Sequence, residues 1–242
     1  MLEIIGFNIE SCIAAQSAGG DRIELCANPS EGGTTPSLAF IKEARRVLEI
    51  DLYVMIRHRG GNFMYNEEEI SIMKNDIALC KDVGCHGIVL GMLNGDGKID
   101  IENCRRLVDY AYPLGVTFHR AFDRTANPLQ ALEEIIECGC ERILTSGQKP
   151  KAGEGAPLIK SLIGKAGGRI IIMPGSGVNS SNIAEIAEVT GATEFHSSAS
   201  MVADKKFNYQ NSLKDSDQGH TTVDPEEVKK MKKQLAAFHQ ES

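Results

Sequence analysis

Short apolar segments rich in β-branched residues alternate along most of the chain with longer segments of helical periodicity. Alternation of this kind is typical of repeated βα units that build a parallel sheet. The pattern predicts eight strands, at residues 2–7, 22–27, 52–57, 87–91, 116–121, 142–146, 169–173 and 193–198. The chain is therefore predicted to be an α/β protein.

The segments between these strands carry apolar residues at three- and four-residue spacing, which is expected of helices that bury one face. Two such stripes are Ile70, Met73, Ile77 and Cys80, and Leu129, Leu132, Ile135 and Ile136. Glycines that precede predicted strands, such as Gly84 and Gly191, suit the left-handed residue that ends a helix. Glycines at such positions recur along the chain at the spacing of the βα units.

Eight evenly spaced units in 242 residues predict a (β/α)8 TIM barrel that forms a single domain. A doubly wound open sheet is the alternative, but no Gly-x-Gly-x-x-Gly turn follows the first predicted strand. The barrel is predicted over residues 2–200. A C-terminal extension over 201–242 then contains a polar loop at 208–222 and a basic amphipathic helix that starts near Pro225 and continues over 228–238.

Charge and composition narrow the range of partners. The formal charge of −7 and the isoelectric point near 5.4 leave no basic field that would attract nucleic acid or an anionic membrane. The first residues contain no basic region and no apolar run of signal-peptide length. The seven cysteines are odd in number and scattered, so reduced thiols and a cytoplasmic location are predicted.

Polar residues near the C-terminal ends of the predicted strands are the candidates for a site, because barrels of this type place their active sites there. Strand alternation predicts that Glu24 and Cys26 face the barrel interior, and that Arg57 and His119 do so on two other strands. On the last strand the same parity selects Glu194, His196 and Ser198. Three more polar side chains lie just beyond strand ends, namely Arg59, Arg120 and Asp123.

These residue types suggest acid–base chemistry. His119 is the candidate general acid or base, because the pKa of free histidine lies near neutrality. Glu24 or Glu194 would be its partner, and Arg57 completes the predicted catalytic set. The alternative is a structural layer of ion pairs, since buried charge is costly unless it is paired or serves a ligand.

A glycine-containing turn after the seventh strand suggests an anion site. Gly175 and Gly177 lie in this turn, Asn179 is a candidate N-cap for a helix that starts near Ser180, and Ser198 supplies a hydroxyl group after the eighth strand. Such loops often bind phosphate in barrels. A small phosphorylated or carboxylated ligand is therefore predicted, with an ordinary tight turn as the alternative.

Several long motifs resemble those of the CutC family, which is named for copper homeostasis. They are Asp21-Arg-Ile-Glu-Leu-Cys-Ala-Asn28, Glu31-Gly-Gly-Thr-Thr-Pro-Ser37, Val116-Thr-Phe-His-Arg-Ala-Phe-Asp123, Ile172-Met-Pro-Gly-Ser-Gly177 and Ala192-Thr-Glu-Phe-His-Ser-Ser-Ala199. The resemblance covers about residues 2–200. It implies a cytoplasmic barrel that self-associates as a dimer or tetramer, and an association with copper.

The resemblance nominates Cys26 as a Cu(I) ligand, with Met55 as one companion, because Cu(I) prefers thiolate and thioether ligands. The remaining cysteines look structural, and the Cys138–Cys140 pair precedes a strand at the opposite end of the barrel. Two functions therefore stand: copper handling that depends on Cys26, and an enzyme of unknown reaction that acts on a small anionic metabolite at the barrel mouth.

Overall fold

The computed structural model describes residues 1–203 and 220–241. Within them, eight parallel strands form one sheet and alternate with helices along the chain. The strands are β1 (Leu2–Gly6), β2 (Arg22–Leu25), β3 (Asp51–Met55), β4 (Gly87–Leu90), β5 (Gly115–Phe118), β6 (Arg142–Thr145), β7 (Ile171–Pro174) and β8 (Phe195–Ser197). All eight predicted strands are confirmed, although several ladders are shorter than predicted.

The helices are α1 (Ile9–Ser17), α2 (Leu38–Val47), α3 (Glu67–Val83), α4 (Ile101–Ala111), α5 (Pro128–Glu137), α6 (Ala156–Ala166), α7 (Ile183–Thr190) and α8 (Pro225–Glu241). Short 3-10 helices follow β2 at Pro29–Glu31 and β5 at Arg120–Arg124. These two turns lie after the C-terminal ends of their strands, where they help to shape the mouth of the barrel.

The strand order is β7-β6-β5-β4-β3-β2-β1-β8. Neighbouring strands follow the chain order, and β1 pairs in parallel with β8, with Leu2 opposite Phe195. A doubly wound sheet would instead reverse its order at a switch point. The fold is therefore the predicted barrel, with no ladder between β7 and β8 among the residues described.

Most residues of the two predicted apolar stripes are buried where their helices pack against this sheet. Ile70, Met73, Ile77 and Cys80 are all buried on α3, as predicted. Leu129 is the exception in the second stripe, because it lies in the first turn of α5 and is 43% exposed. Gly84 ends α3 with a left-handed φ of 77°, which confirms its predicted role.

The C-terminal extension folds back on the barrel. A two-stranded antiparallel ladder joins β9 (Ser200–Val202) to β10 (Thr221–Val223). The predicted C-terminal helix is confirmed as α8, which packs against α7 and α1 through the buried residues Val228, Met231 and Leu235. Most of the predicted loop at 208–222 lies outside the described residues. None of the helices described is long and apolar enough to cross a membrane.

Candidate active site

A cavity of about 820 Å³ opens at the C-terminal ends of the barrel strands. Most of the residues predicted for the site line it, and these are Glu24, Arg57, His119, Arg120, Asp123, Gly177, His196 and Ser198. The two 3-10 turns and the loop after β3 add further lining residues, among them Glu31, Phe63 and Arg124. The structure therefore brings together side chains that are far apart in the sequence.

His119 follows β5 and is 4% exposed. Its Nδ1 accepts a hydrogen bond from the Ala121 backbone N–H at 3.1 Å. Burial, followed by the nearby Arg57 guanidinium, lowers the pKa of His119 to about 3. The ring is therefore neutral near pH 7. Because Nδ1 is an acceptor, the proton is assigned to Nε2, which has no partner among the residues described.

Two glycines leave room for the histidines of the site. A Cβ atom at Gly91, just after β4, would collide with the His119 ring. A Cβ at Gly175 would collide with Leu144 and lie 3.2 Å from the Cβ of His196. Gly175 thus packs beneath the site and is not part of the cavity lining. The structure thus shows a packing role for Gly175, and its predicted contact with a ligand stays a prediction.

Glu24 is 2% exposed at the C-terminal end of β2. Its Oε2 accepts a weak hydrogen bond from the Cys26 thiol at 3.7 Å and lies 3.9 Å from His196 Nε2. The other oxygen, Oε1, has no partner among the described residues. Burial raises the pKa of Glu24 to about 7. A carboxyl group with such a pKa exchanges protons readily at neutral pH.

Glu3 is a site residue that the sequence analysis missed. Its Oε1 lies 2.7 Å from His196 Nδ1, and its Oε2 accepts a hydrogen bond from Arg22 Nε at 2.6 Å. Burial opposes charge on Glu3, but the bonds to His196 and Arg22 outweigh it and lower its pKa to about 2. Burial also opposes charge on His196, yet Glu24 and Glu3 raise its pKa. The parity of β1 already places Glu3 inside the barrel.

Arg57 ties two mouth loops together. Its Nη1 donates to the carbonyl oxygens of Glu31 at 2.5 Å and Gly33 at 2.9 Å, and its Nη2 donates to that of Gly61 at 2.9 Å. The guanidinium also lies 4.9 Å from the centre of the Phe63 ring. Its Nε has no partner among the described residues. Arg57 is therefore anchored by backbone oxygens with one N–H left unused.

Asp123 organises the opposite wall. Its carboxylate accepts hydrogen bonds from Arg120 Nε at 2.8 Å and from the Thr145 hydroxyl at 2.5 Å. Backbone N–H groups of Ser146 and Gln148 donate to it as well, each at 3.1 Å. Asp123 thus fixes Arg120 and the loop after β6. Its contacts are those of a residue that holds the wall in place.

Besides Gly175 and Cys26, two more predicted site residues, Glu194 and Arg59, lie away from the cavity lining. Glu194 precedes β8 on the inner face, where it accepts hydrogen bonds from Arg22 Nη2 and Arg142 Nε, both at 2.6 Å. This is the N-terminal end of the barrel. Arg59 points outward and pairs with Glu69 of α3 at 2.5 Å. Strand alternation correctly predicts that Glu194 faces the barrel interior. It does not predict how far along the barrel axis the side chain lies.

The turn after β7 has the left-handed backbone of a tight turn. Ser176 and Gly177 have φ values of 78° and 72°, and both line the cavity. Asn179 does not cap a helix near Ser180 as predicted, because α7 begins at Ile183 with Asn182 at its N-cap. Asn179 Oδ1 instead accepts hydrogen bonds within the turn from Ser181. Gly177 and Ser198 remain available to a ligand.

Cys26 lies just below the cavity and is fully buried. A Cβ at Gly33 would lie 3.1 Å from the Cys26 sulfur and 3.5 Å from the Met55 Cε, so thiol and thioether side chains pack around one glycine. Burial, and then the Glu24 carboxylate, raise the pKa of Cys26 well above its usual value. A metal ion that binds Cys26 would therefore have to displace the thiol proton, and the role of Cys26 as a Cu(I) ligand stays a prediction.

One cluster of ligand-type atoms also lies here. Atoms of Glu3, Glu24 and His196 lie within 4.8 Å of one another. Oxygen and imidazole ligands suit harder cations than Cu(I). Glu3 is already bonded to Arg22 and His196, so the cluster is a hydrogen-bonded charge network.

The described residues contain four buried side-chain polar atoms without a hydrogen-bond partner, namely Glu24 Oε1, Arg57 Nε, His119 Nε2 and the Tyr65 hydroxyl. The first three belong to residues that line the cavity. Buried polar groups are nearly always satisfied by protein or ordered solvent. Three of the four atoms therefore belong to residues around one cavity, which sets this part of the described structure apart.

Comparison with known proteins gives a consistent relationship. The CutC family model matches residues 1–201. A family protein CutC from Parabacteroides distasonis is 50% identical over 212 residues, covering 87% of each chain. The Homo sapiens copper homeostasis protein cutC homolog is 48% identical over 212 residues, covering 88% of this chain and 78% of the human one.

Solved structures agree with the fold. A CutC protein from Streptococcus agalactiae has a TM-score of 0.79 at 35% identity, covering 82% of this chain and 98% of its own. A phosphoribosylanthranilate isomerase from Thermotoga maritima has a TM-score of 0.60 at 14% identity, covering 98% of each chain. At that identity the second likeness shows the barrel fold alone.

Proposed function

Because the chain belongs to the CutC family, we propose that it takes part in copper homeostasis, the role that their names give to its human and mouse relatives. For its molecular activity, we propose that the mouth cavity binds a small anionic organic ligand, phosphorylated or carboxylated. One observation carries this second proposal: three buried polar atoms, in residues that line the cavity, have no hydrogen-bond partner within residues 1–203 and 220–241.

The charges of the cavity support an anion. Arg57 is held by carbonyl oxygens and not by a carboxylate. Arg124 is exposed and lies 5.6 Å from the centre of the Phe63 ring. Arg120 adds a third guanidinium, which Asp123 partly neutralises. Guanidinium groups recognise carboxylate and phosphate by charge-assisted hydrogen bonds.

Isothermal titration calorimetry with glycerol 1-phosphate and with lactate tests the anion proposal, with uncharged glycerol as the control. At least one anion is expected to bind with a Kd of about 1 mM or tighter, whereas glycerol does not bind. Arg124→Gln is expected to weaken binding without affecting the melting temperature, since Arg124 is exposed. His58→Ala is the matched control, because His58 is exposed near the mouth and does not line the cavity. The anion proposal fails if neither anion binds.

Direct Cu(I) binding is the second candidate function, and the packing of Cys26 with Met55 around Gly33 favours it. Cu(I) would have to displace the thiol proton that burial stabilises. Anaerobic titration against a competing chelator, with native mass spectrometry for stoichiometry, tests this candidate. One tight Cu(I) per chain that Cys26→Ser abolishes would establish the site. Weak binding, or binding that the mutation does not change, would exclude it.

We also propose that the protein is cytoplasmic and self-associates as a dimer or tetramer, with neither nucleic acid nor a membrane as a partner. Family resemblance supports self-association, and the net charge of −7 supports the excluded partners. Sedimentation velocity of the purified chain checks the oligomeric state, where a single monomeric species would contradict the proposal.

A further inference from the structure

The unpaired groups of the mouth cavity differ in hydrogen-bonding character. His119 Nε2 and Arg57 Nε are donors, because the Nδ1 of His119 already accepts from a backbone N–H and a guanidinium has no acceptor atom. Glu24 Oε1 is an acceptor when the carboxyl group is ionised. Two donors and one base in residues that line the cavity therefore have no hydrogen-bond partner within the described part of the chain.

Two buried donors suit an oxygen that gains negative charge during a reaction. Preorganised N–H groups in a dry site stabilise such an oxygen more than its neutral carbonyl precursor. A neutral imidazole is well suited to this role, since its N–H can polarise a carbonyl group. His119 and Arg57 are each 4% exposed, so water competes little for them.

The carboxylate is held where it can act as a base. The Cys26 thiol donates to Glu24 Oε2 at 3.7 Å, and His196 Nε2 lies 3.9 Å from the same oxygen. His196 is in turn oriented by Glu3, which Arg22 anchors. These contacts restrain one carboxylate oxygen, and Oε1 has no partner in the part of the chain that the structure describes. Glu3 is thus a positioning residue for His196.

We infer that the protein removes a proton from the carbon next to a carbonyl group of its ligand, with Glu24 as the base and with His119 and Arg57 as donors to the carbonyl oxygen. This inference rests on the proposed binding of a small anion in the same cavity. The anionic group of the ligand lies toward Arg124, Gly177 and Ser198, which line the rest of the mouth.

The step balances without a further reactant. The C–H bond breaks and its proton moves to Glu24 Oε1. The electron pair of that bond forms a carbon–carbon double bond, and the carbonyl π pair moves onto oxygen, where the two N–H donors stabilise the enolate. Return of the proton from Glu24 to the same carbon completes the exchange. In a hydroxy-carbonyl compound, return of the proton to the former carbonyl carbon, with transfer of the hydroxyl proton to the enolate oxygen, makes the former hydroxyl the new carbonyl and gives isomerisation.

Binding of planar enolate analogues tests the inference separately from the anion proposal. Oxalate is compared with lactate, and 2-phosphoglycolate with glycerol 1-phosphate, so that the two pairs also distinguish carboxylate from phosphate ligands. In at least one pair the planar analogue is expected to bind tenfold or more tightly, since analogues of a reactive state bind better than ground-state compounds. If the members of both pairs bind equally, the anion site stands and the enolate inference is overturned. If nothing binds, both fail.

Substitutions of His119 test whether its N–H group causes the preference for the planar analogue. His119→Ala is expected to remove the preference for the planar analogue, whereas His119→Gln, which can place an amide N–H near the Nε2 position, restores part of it. A melting curve shows whether each variant folds. A preference that survives His119→Ala in folded protein contradicts the donor role.

Proton exchange tests the step itself. Dihydroxyacetone phosphate and pyruvate are incubated with the protein in D2O, and loss of the proton signal next to the carbonyl group is followed by NMR. Exchange above the buffer rate is expected for the compound whose analogue binds, and Glu24→Gln is expected to slow it about 100-fold or more. No exchange with either compound, or exchange that Glu24→Gln leaves unchanged, overturns the assignment.

Discussion

At the N-terminal end of the barrel interior, Glu194 accepts hydrogen bonds from Arg22 and Arg142. At the C-terminal end, one carboxylate oxygen of Glu24 has no partner among the residues described. Both are acidic side chains on the inner face of strands or at their ends. Burial and the bonds to Arg142 and Arg22 act in opposite directions on Glu194, and the bonds win and lower its pKa. Burial wins at Glu24 and raises its pKa.

This difference in pairing distinguishes charged groups that stabilise the fold from charged groups that we propose bind a ligand. The charged residues Arg22, Arg142 and Glu194 at the N-terminal end form what we call the lower cluster. It extends to Glu141, which accepts hydrogen bonds from Arg142 and from the Tyr53 hydroxyl, at 2.7 and 2.6 Å. A cluster satisfied in this way needs no further partner, and removing one member leaves buried charge exposed to a low dielectric. The mouth residues, in contrast, are costly in the unliganded protein and become satisfied when a ligand enters.

The largest expected effect is on the lower cluster. Glu194→Ala leaves two buried guanidinium groups without a shared carboxylate, so the free energy of unfolding should fall by about 3–5 kcal/mol. Urea denaturation at pH 7 measures it. Glu43→Gln, which removes a pair on the exposed face of α2, should leave the midpoint unchanged. Equal midpoints for Glu194→Ala and wild type would contradict a structural role for the lower cluster.

Glu24→Gln should have the opposite sign. Its pKa is about 7 in the folded protein against an ordinary value of 4.5, so the folded state binds the proton more tightly than the unfolded chain. Wild type therefore loses stability as pH rises from 4.5 through 7. The variant should match wild type near pH 4.5 and exceed it above pH 7, by on the order of 3 kcal/mol.

Urea unfolding of both proteins across this pH range gives the comparison. Glu31→Gln, another change from carboxylate to amide at the cavity, is the matched control variant. A constant offset between Glu24→Gln and wild type at every pH would show that Glu24 has an ordinary pKa in the folded protein.

His119→Gln should show a smaller pH effect that runs the other way. The pKa of His119 is lowered from 6.5 to about 3, so its neutral ring contributes stability that is present above pH 6.5 and lost as pH falls toward 3. Between pH 6.5 and about 5, wild type should lose about 2 kcal/mol relative to the variant. Chemical denaturation at these two pH values checks it, and parallel profiles would mean that His119 titrates normally.

The smallest expected effect is that of a charge pair outside the barrel. Lys232 of α8 donates to both oxygens of Asp21, at 2.7 and 2.8 Å, and each side chain is about one-third exposed. Lys232→Met should therefore cost only about 0.5 kcal/mol. The same urea assay measures this loss of unfolding free energy. A loss as large as that of Glu194→Ala would mean that burial does not determine how much a charge pair contributes to stability.

The sequence predicted the barrel and the inward direction of Glu24, His119 and His196, because βα alternation and strand parity are local properties that a sequence displays. Depth along the barrel is harder to predict, since it depends on the stagger of neighbouring strands, and Glu194 was therefore assigned to the mouth. Parity alone could also have identified Glu3 on β1.

The conformation of the mouth loops is the second feature that the sequence pattern does not predict. The anchoring of Arg57 depends on where the carbonyl oxygens of Glu31, Gly33 and Gly61 point. Arg59, two residues later, turns away to Glu69 instead. No periodicity distinguishes these two arginines, because long-range backbone contacts decide which one enters the cavity.

The pairing of β1 with β8 has a consequence for how the protein is made. Arg22 and Arg142 belong to the second and sixth strands, but the carboxylate that they share, Glu194, precedes the last. A nascent chain on the ribosome thus lacks the carboxylate that these two arginines share, and leaves one edge of β1 unpaired, until almost the whole barrel has been synthesised. Pairing of β1 with β8 and completion of this buried charge cluster are then late events, so a partial barrel still attached to the ribosome is a species that needs protection by chaperones.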